Sequence, residues 1–414
     1  MSTARDLASV AKQRFLRRRG FPFVHAVENP RPTDPPAAHT VLVKGWLLPR
    51  TGIPVESVIV DHGTRTALTQ VERPDVGARW PGHVVVGFQG FVTVDATVAS
   101  PPWHLEVTVA ERTYRRAISV RLDDAARATF AARKATKLDR IEPLLRCPRP
   151  GQETLEHASC LGPLRRDGAG RLVCERCGEH FGRTPMHFDF LSEELRTIGA
   201  VDPTDAISSW GYDPIATGLI DEFADGLVLD AGSGLKTAYL DNVVNLEVAD
   251  YPSADVLAIG ERLPFATASF DAVLSLVVLE HVRDPFRCAA EIARVVRPGG
   301  RIYVAVPFLQ PYHGYPHHYY NMTRRGLEQL FADDFVIEEC STAPYGLPIF
   351  TLTWFLRSYL EGLPPATARH LGAMRVRDLL RDGHEYLDDP FVSKLSGAAV
   401  EELACSNFLV ATKR

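Results

Sequence analysis

Val228-Leu229-Asp230-Ala231-Gly232-Ser233-Gly234 is an apolar run that closes on an acid and two spaced glycines. That is the form of a buried strand running into a backbone turn. In an open α/β sheet, ligands bind beyond the carboxyl ends of such strands, where glycines let them approach closely. Lys236 stands where a third glycine would continue a dinucleotide fingerprint, which argues against a pyrophosphate-bearing cofactor. Glu247 lies in a second strand-like run, Asn242 to Val248, and an acid there suits the two hydroxyls of a ribose. Ala272 to Val278 is nearly all apolar, as a strand covered on both faces must be. Asp284 offers an N-cap with Pro285 at the first helical position. Phe286, Ala289, Ile292, Ala293 and Val296 then recur at helical spacing and predict one buried face. Pro298-Gly299-Gly300 ends that helix and leads into a strand from Arg301 to Val306, a right-handed crossover unit.

In this order and with these gaps, Asp230 to Gly234, Glu247, Leu263-Pro264-Phe265, Ser269 to Val273, Leu279-Glu280-His281 and Arg297 to Gly300 carry a resemblance. They closely resemble class I S-adenosylmethionine-dependent methyltransferases of the small-molecule-modifying group, over about a hundred residues. The resemblance implies a doubly wound, Rossmann-like α/β sheet and S-adenosyl-L-methionine as cofactor. It assigns cofactor binding to Asp230, Ala231, Gly232, Ser233, Gly234, Glu247, Gly260 and Leu276. One position departs from the family pattern. Four residues before Leu263 the family usually carries an acid that accepts from the adenine amino group, and here Ile259 stands there. The backbone N–H of Gly260, or the Glu261 side chain, would have to serve instead.

Methyl transfer is an in-line displacement at a sulfonium carbon, so a protein mainly aligns donor and acceptor. An oxygen or nitrogen acceptor also needs a base to take its proton. The loop after the fifth strand runs from Pro307 to Tyr320, with three histidines and four tyrosines between Tyr312 and Tyr320. His313 or His317 is the candidate catalytic base or acceptor-orienting group, because imidazole titrates nearest neutrality. The plainer alternative is that these rings only pack the loop. A metal site there is disfavoured, since no acid is interleaved with the histidines. His281 reads as a structural residue on the cofactor side.

Phe335 to Glu339 predicts a sixth strand and Asn407 to Thr412 a seventh. Between them lies a long insertion, at about 341–405, and long insertions in compact domains are usually functional. Its apolar stretch Ile349 to Leu360 suits a lid over the acceptor, the preferred reading, or else a dimer face or a membrane-surface helix.

Cys147, Cys160, Cys174 and Cys177 have the spacing C-x12-C-x13-C-x2-C. Zinc takes four ligands in a tetrahedron, and a C-x2-C knuckle such as Cys174 to Cys177 supplies two from one turn. The segment resembles the small zinc-ribbon module that accompanies many methyltransferases. There the first knuckle is a compact Cys-Pro-x-Cys, whereas here an insertion separates Cys147-Pro148 from Cys160. His157 or His180 is therefore an alternative to Cys160. The expected cofactor is one structural Zn2+ held by the four cysteines.

Residues 1–38 form a basic leader, with Lys12, Arg14, Arg17, Arg18 and Arg19, and a Pro-rich linker. Residues 39–123 alternate with period two, as in Trp103, Leu105, Val107, Val109 and in Ile118, Val120, Leu122, which predicts an antiparallel β-sandwich. Gly45-Trp46, Arg73-Pro74-Asp75-Val76, Pro81 and Gly87-Phe88 resemble a bacterial sandwich module often attached to glycan-active enzymes. A connecting helix over 124–145, with Ala125, Ala126, Ala128, Ala131, Ala132, Lys134 and Lys137 as good helix formers, precedes the zinc-ribbon-like segment 146–192 and the methyltransferase domain 193–414.

The formal charge of −5, with no extended basic stretch, gives no footprint for nucleic acid. The start is not a secretory signal, no stretch is apolar enough to span a bilayer, and clustered cysteines suit a reducing compartment, so the cytoplasm is expected. The expected substrate is a small-molecule or glycan acceptor. Peripheral membrane contact remains open, and the sequence leaves the oligomeric state unspecified. A catalytically weakened, methyltransferase-fold binding or scaffold protein is the competing reading, and Ile259 is the residue that favours it.

Overall fold

A computed structural model of the chain describes residues 23–30, 39–49, 54–77, 84–94, 102–151, 159–202, 208–314 and 317–406. The basic leader, most of the Pro-rich linker, His157 and the strand expected from Asn407 to Thr412 lie outside the described residues.

The first strands are β1 (Phe23–Asn29), β2 (Thr40–Pro49), β3 (Val55–Asp61), β4 (Arg65–Ala67), β5 (Thr69–Glu72), β6 (Val86–Thr93), β7 (His104–Val109) and β8 (Arg112–Ala117). They pair into two four-stranded sheets, β1-β2-β6-β5 and β4-β3-β7-β8, antiparallel throughout. Every second residue faces a shared core, among them Val41, Val43, Val58, Val60, Leu105 and Val107. Ala110 and Glu111, at φ 50° and 61°, make the tight turn between β7 and β8. The strand expected over Ile118 to Leu122 does not form. The β7–β8 ladder ends at the Ala117–His104 pair; the Ile118 amide donates to the Trp103 carbonyl just beyond it, and the chain then runs on outside any strand. Ile118, Val120 and Leu122 still pack on the core from extended chain.

The second body is one nine-stranded sheet. Its strands are β9 (Leu164–Arg166), β10 (Leu172–Cys174), β11 (His180–Arg183), β12 (Phe188–Asp189), β13 (Val228–Ala231), β14 (Val243–Glu247), β15 (Val256–Leu257), β16 (Phe270–Leu276) and β17 (Val296–Ala305). Their order is β17-β16-β13-β14-β15-β12-β11-β10-β9. Pairing is parallel from β17 to β12 and antiparallel from β12 to β9. The five strands β15-β14-β13-β16-β17 have the doubly wound order, with its switch point between β13 and β16. The cysteine segment thus continues the edge of that sheet and shares its core, in which Phe181, Phe188 and Phe190 lie with Leu138, Ile141, Phe265 and Phe270.

Helix α1 (Asp124–Ile141) starts at Asp123, whose carboxylate accepts from the amides of Ala125 and Ala126. Between β13 and β14, where a doubly wound unit ordinarily has a crossover helix, residues 232–242 form none. Part of α1 packs against this stretch. Phe130 packs edge-on against Tyr239, and Arg133 donates to the Tyr239 carbonyl and to Asp241. Lys137 Nζ donates to the Val243 carbonyl at the start of β14. Lys134 and Lys137 both reach Asp255, at 3.3 and 3.1 Å, and all three side chains are buried.

Helices α2 (Glu193–Gly199) and α3 (Pro214–Glu222) precede β13, and α4 (Pro285–Val295) joins β16 to β17. Asp284 caps α4 by accepting from the Arg287 amide, with Pro285 at its first turn. The buried face runs through Cys288, Ala289, Ile292 and Val295, while Phe286 is 70% exposed, which corrects the expected register at that residue. The cap fixes the phase of the helix, and position 286 falls on its outer side.

After β17 come α5 (Arg324–Phe331), α6 (Pro348–Glu361), α7 (Pro365–Gly372) and α8 (Gly397–Leu403). Phe335 to Glu339 is not a strand, contrary to expectation. A strand needs a ladder for its N–H and C=O groups, and among the described residues β17 pairs only with β16. The segment is held instead by Phe335 against the core and by Glu338 on Arg301. The last helices build a small core of their own around Leu363, Leu371, Tyr386 and Phe391. No helix among the described residues is long and apolar enough to cross a membrane.

Candidate active site

The residues assigned to the cofactor come together at one end of the sheet. Asp230 to Gly234 leave the carboxyl end of β13, Glu247 ends β14, Gly260 follows β15 and Leu276 ends β16. These four strands are parallel neighbours, so their carboxyl ends form one rim. The glycines are demanded by the backbone. Gly232 and Gly234 have φ of 89° and 62°, and a Cβ on them would lie 2.6 Å from Val278 Cγ2 and 2.7 Å from the Ser208 carbonyl oxygen.

Asp230 is buried and already engaged. It accepts from the Tyr212 hydroxyl at 2.8 Å and pairs with Lys236 Nζ at 3.1 Å, and that ammonium lies 4.1 Å from the Tyr212 ring centre. Burial beside the Asp230 charge pushes the Tyr212 phenol far up, so it remains a donor. The segment 208–212 lies over the glycine turn, where the Ser208 carbonyl accepts from the Leu235 amide. Glu247 accepts from the Gly234 and Val248 amides, both at 2.7 Å. Burial raises its pKa, and those amides work against the rise.

Ile259 lies in an apolar cluster with Leu191, Leu195 and Leu257, against which Ile198 and Val201 pack. Glu261 faces the amides of Arg283 and Asp284 at the start of α4. Restoring the family's acid by Ile259→Asp is expected to destabilise the protein by on the order of 3–5 kcal/mol, because the carboxylate would be buried without a partner. Chemical denaturation checks this, and an unchanged midpoint would mean that position 259 opens to water.

The histidine loop does not act as one group. His317 Nε2 meets Asp202 at 2.9 Å, partly exposed. His318 accepts from the His313 amide and binds Asn321 with its other nitrogen. His313 Nδ1 donates to the Pro311 carbonyl, and its ring meets that of His281 edge-on. Glu280, fully buried just after β16, adjoins both. Burial pushes its carboxyl up to about 8. The sequence pattern missed this acid because it lies more than thirty residues from His313, in a motif that the family resemblance had already explained.

The four cysteine sulfurs lie within 4.8 Å of one another, with Cys147–Cys177 at 3.6 Å and Cys160–Cys174 at 3.8 Å. Ligands 2.3 Å from a tetrahedral ion would be about 3.8 Å apart, so these spacings fit a thiolate-held metal. The bridges Arg146↔Pro163 and Pro150↔Ser159 close the insertion and return Cys160 to Cys147. His180 lies beside Asp167, at 3.7 Å, and is not one of the clustered ligands.

Residues 229–304 match the family model described as a methyltransferase domain. An uncharacterized methyltransferase of Mycobacterium sp. is 56% identical over 45 residues, 11% of this chain and 18% of the relative. The demethylmenaquinone methyltransferase of Renibacterium salmoninarum is 35% identical over 95 residues, 19% of this chain and 40% of the relative. The ubiquinone biosynthesis O-methyltransferase of Idiomarina loihiensis is 30% identical over 118 residues, 22% of this chain and 47% of the relative. The chain thus spans less than half the length of each of these relatives.

Proposed function

We propose that the chain is an S-adenosylmethionine-dependent methyltransferase acting on an oxygen or nitrogen of a small molecule or glycan. The observation that carries this reading is the match of residues 229–304 to a methyltransferase domain, together with the convergence of Asp230 to Gly234, Glu247, Gly260 and Leu276 on one rim. S-Adenosylmethionine supplies an electrophilic methyl group on a sulfonium. Asp230 to Gly234 and Glu247 would hold it, Glu247 accepting from the ribose hydroxyls. The acceptor would lie against the loop 307–320, with His313 the histidine of that loop turned toward buried Glu280. One relative is named as an O-methyltransferase of ubiquinone biosynthesis, which favours a hydroxyl-bearing acceptor. The N-terminal sequence motifs from Gly45-Trp46 to Gly87-Phe88, which resemble a sandwich module of glycan-active enzymes, favour surface polysaccharide or glycolipid assembly as the setting. Zn2+ on Cys147, Cys160, Cys174 and Cys177 would be structural, since all four ligands come from the protein.

A second reading, a scaffold that no longer turns over, is favoured by the Lys236–Asp230 pair and by Ile259 in its apolar cluster. Calorimetry with S-adenosylmethionine and S-adenosylhomocysteine separates the two. Under the first reading both bind, and Glu247→Ala weakens binding by roughly 1.5–3 kcal/mol, about ten- to a hundredfold. Absence of binding by the unaltered protein would leave the scaffold reading standing.

A further inference from the structure

Glu280, His281 and His313 each point one ligand atom into a common space, with all three atoms within 4.8 Å of one another. Glu280 is fully buried, and neither of its carboxylate oxygens has a hydrogen-bond partner. A buried, unanswered carboxylate is costly, and a cation is the group that answers it most completely.

The two imidazoles are prepared in the same way. His281 Nδ1 lies 2.7 Å from the His317 carbonyl oxygen and His313 Nδ1 lies 2.8 Å from that of Pro311. A carbonyl can only accept, so both rings carry their proton on Nδ1 and leave Nε2 with a lone pair. A hydrogen bond from the far ring nitrogen to a carbonyl is what orients metal-binding histidines. His281 Nε2 is 3.8 Å from Glu280 Oε1, against about 3.4 Å for two ligands on a tetrahedral ion of zinc size. His317 and His318 are excluded, because the first holds Asp202 and the second has both nitrogens engaged.

We propose that Glu280, His281 and His313 form a second metal site, for a divalent cation of the zinc, cobalt or manganese class. Two imidazoles and one carboxylate leave coordination positions open, as in sites that take a water or a substrate oxygen. The fold reason is direct. His313 leaves β17 and Glu280-His281 leave β16, so two adjacent parallel strands deliver the set to the same rim as the glycine turn. This deepens the methyltransferase reading by putting the cation beside the proposed acceptor, and it makes His313 a ligand rather than a free base. It rests on that reading only for the acceptor.

The test is cobalt binding by the full chain with its cysteines already zinc-loaded, without S-adenosylmethionine or acceptor. The expected result is one further equivalent, with weak visible bands of nitrogen–oxygen ligation and no thiolate-to-cobalt charge-transfer band. Glu280→Gln and His313→Gln should each weaken cobalt binding by more than about a hundredfold, while His317→Gln leaves it nearly unchanged. Should Glu280→Gln fail to fold, the loop variant His313→Gln decides. No further equivalent, thiolate bands alone, or undiminished affinity in His313→Gln would overturn the site. None of these outcomes depends on S-adenosylmethionine binding, so the methyltransferase reading is judged separately.

Discussion

Cys174→Ser, or removal of metal by a strong chelator, is expected to unfold the segment from Cys147 to Asp189 and to loosen the sheet it extends. Apparent binding free energies of structural zinc in small peptides reach roughly 10–16 kcal/mol, and that energy is folding energy where the site does not preform. Apart from the side chains it lends to the shared core, the segment has little regular structure. Strands β9 and β10 are three residues each and β12 is two. Because β12 pairs with β15 in the same sheet, the loss should spread to the parallel strands. Thermal unfolding with and without chelator, beside elemental analysis, checks it. A metal-free protein with four titrating thiols and an unchanged melting curve would remove zinc from the account.

The second large effect is expected from Asp255→Asn. Asp255 is fully buried, answers both Lys134 and Lys137, and accepts from the Tyr239 hydroxyl and the Asn245 amide. Asparagine keeps the shape and removes the charge, leaving two buried ammoniums. The cost should be about 3–5 kcal/mol, a large part of the 5–15 kcal/mol typical of a whole domain. Burial already lowers the Lys137 pKa to about 8 against the pull of Asp255. In the variant both lysines fall further, while the unfolded chain keeps them near 10.4, so the unfolded state binds more protons at neutral pH. Stability of the variant should therefore rise with pH toward 10, recovering part of the loss. Denaturation midpoints at two pH values test this, and a variant equally unstable at both would place the damage in packing instead.

The parts legible in the sequence were those whose signal is local. Strands β13, β14, β16 and β17 announce themselves as apolar runs, and α4 by its Asp284-Pro285 start. Four spaced cysteines carry their own geometry. The parts that escaped are made between distant residues. Lys134 and Lys137 read only as good helix formers, and nothing nearby tells that Asp255 waits for them more than a hundred residues later. Phe335 to Glu339 has a strand's composition, but the ladder that would make it one is not in its own sequence. Glu280, which closes on His281 and His313, follows β16, so a reading of the loop 307–320 alone finds no acid beside its histidines.

The borrowed helix beside β14 has a consequence for how this protein is made. During vectorial synthesis α1 leaves the ribosome 118 residues ahead of Pro252, one of its acceptors. At roughly 5–20 residues per second, its two inward-facing ammoniums wait for about 6–24 s before their acid exists. Such distant pairing also raises contact order, which slows folding. A gene fragment opening at the cysteines or at β13 would lack this piece altogether. Such a fragment would leave Asp255 buried with neither of its lysines.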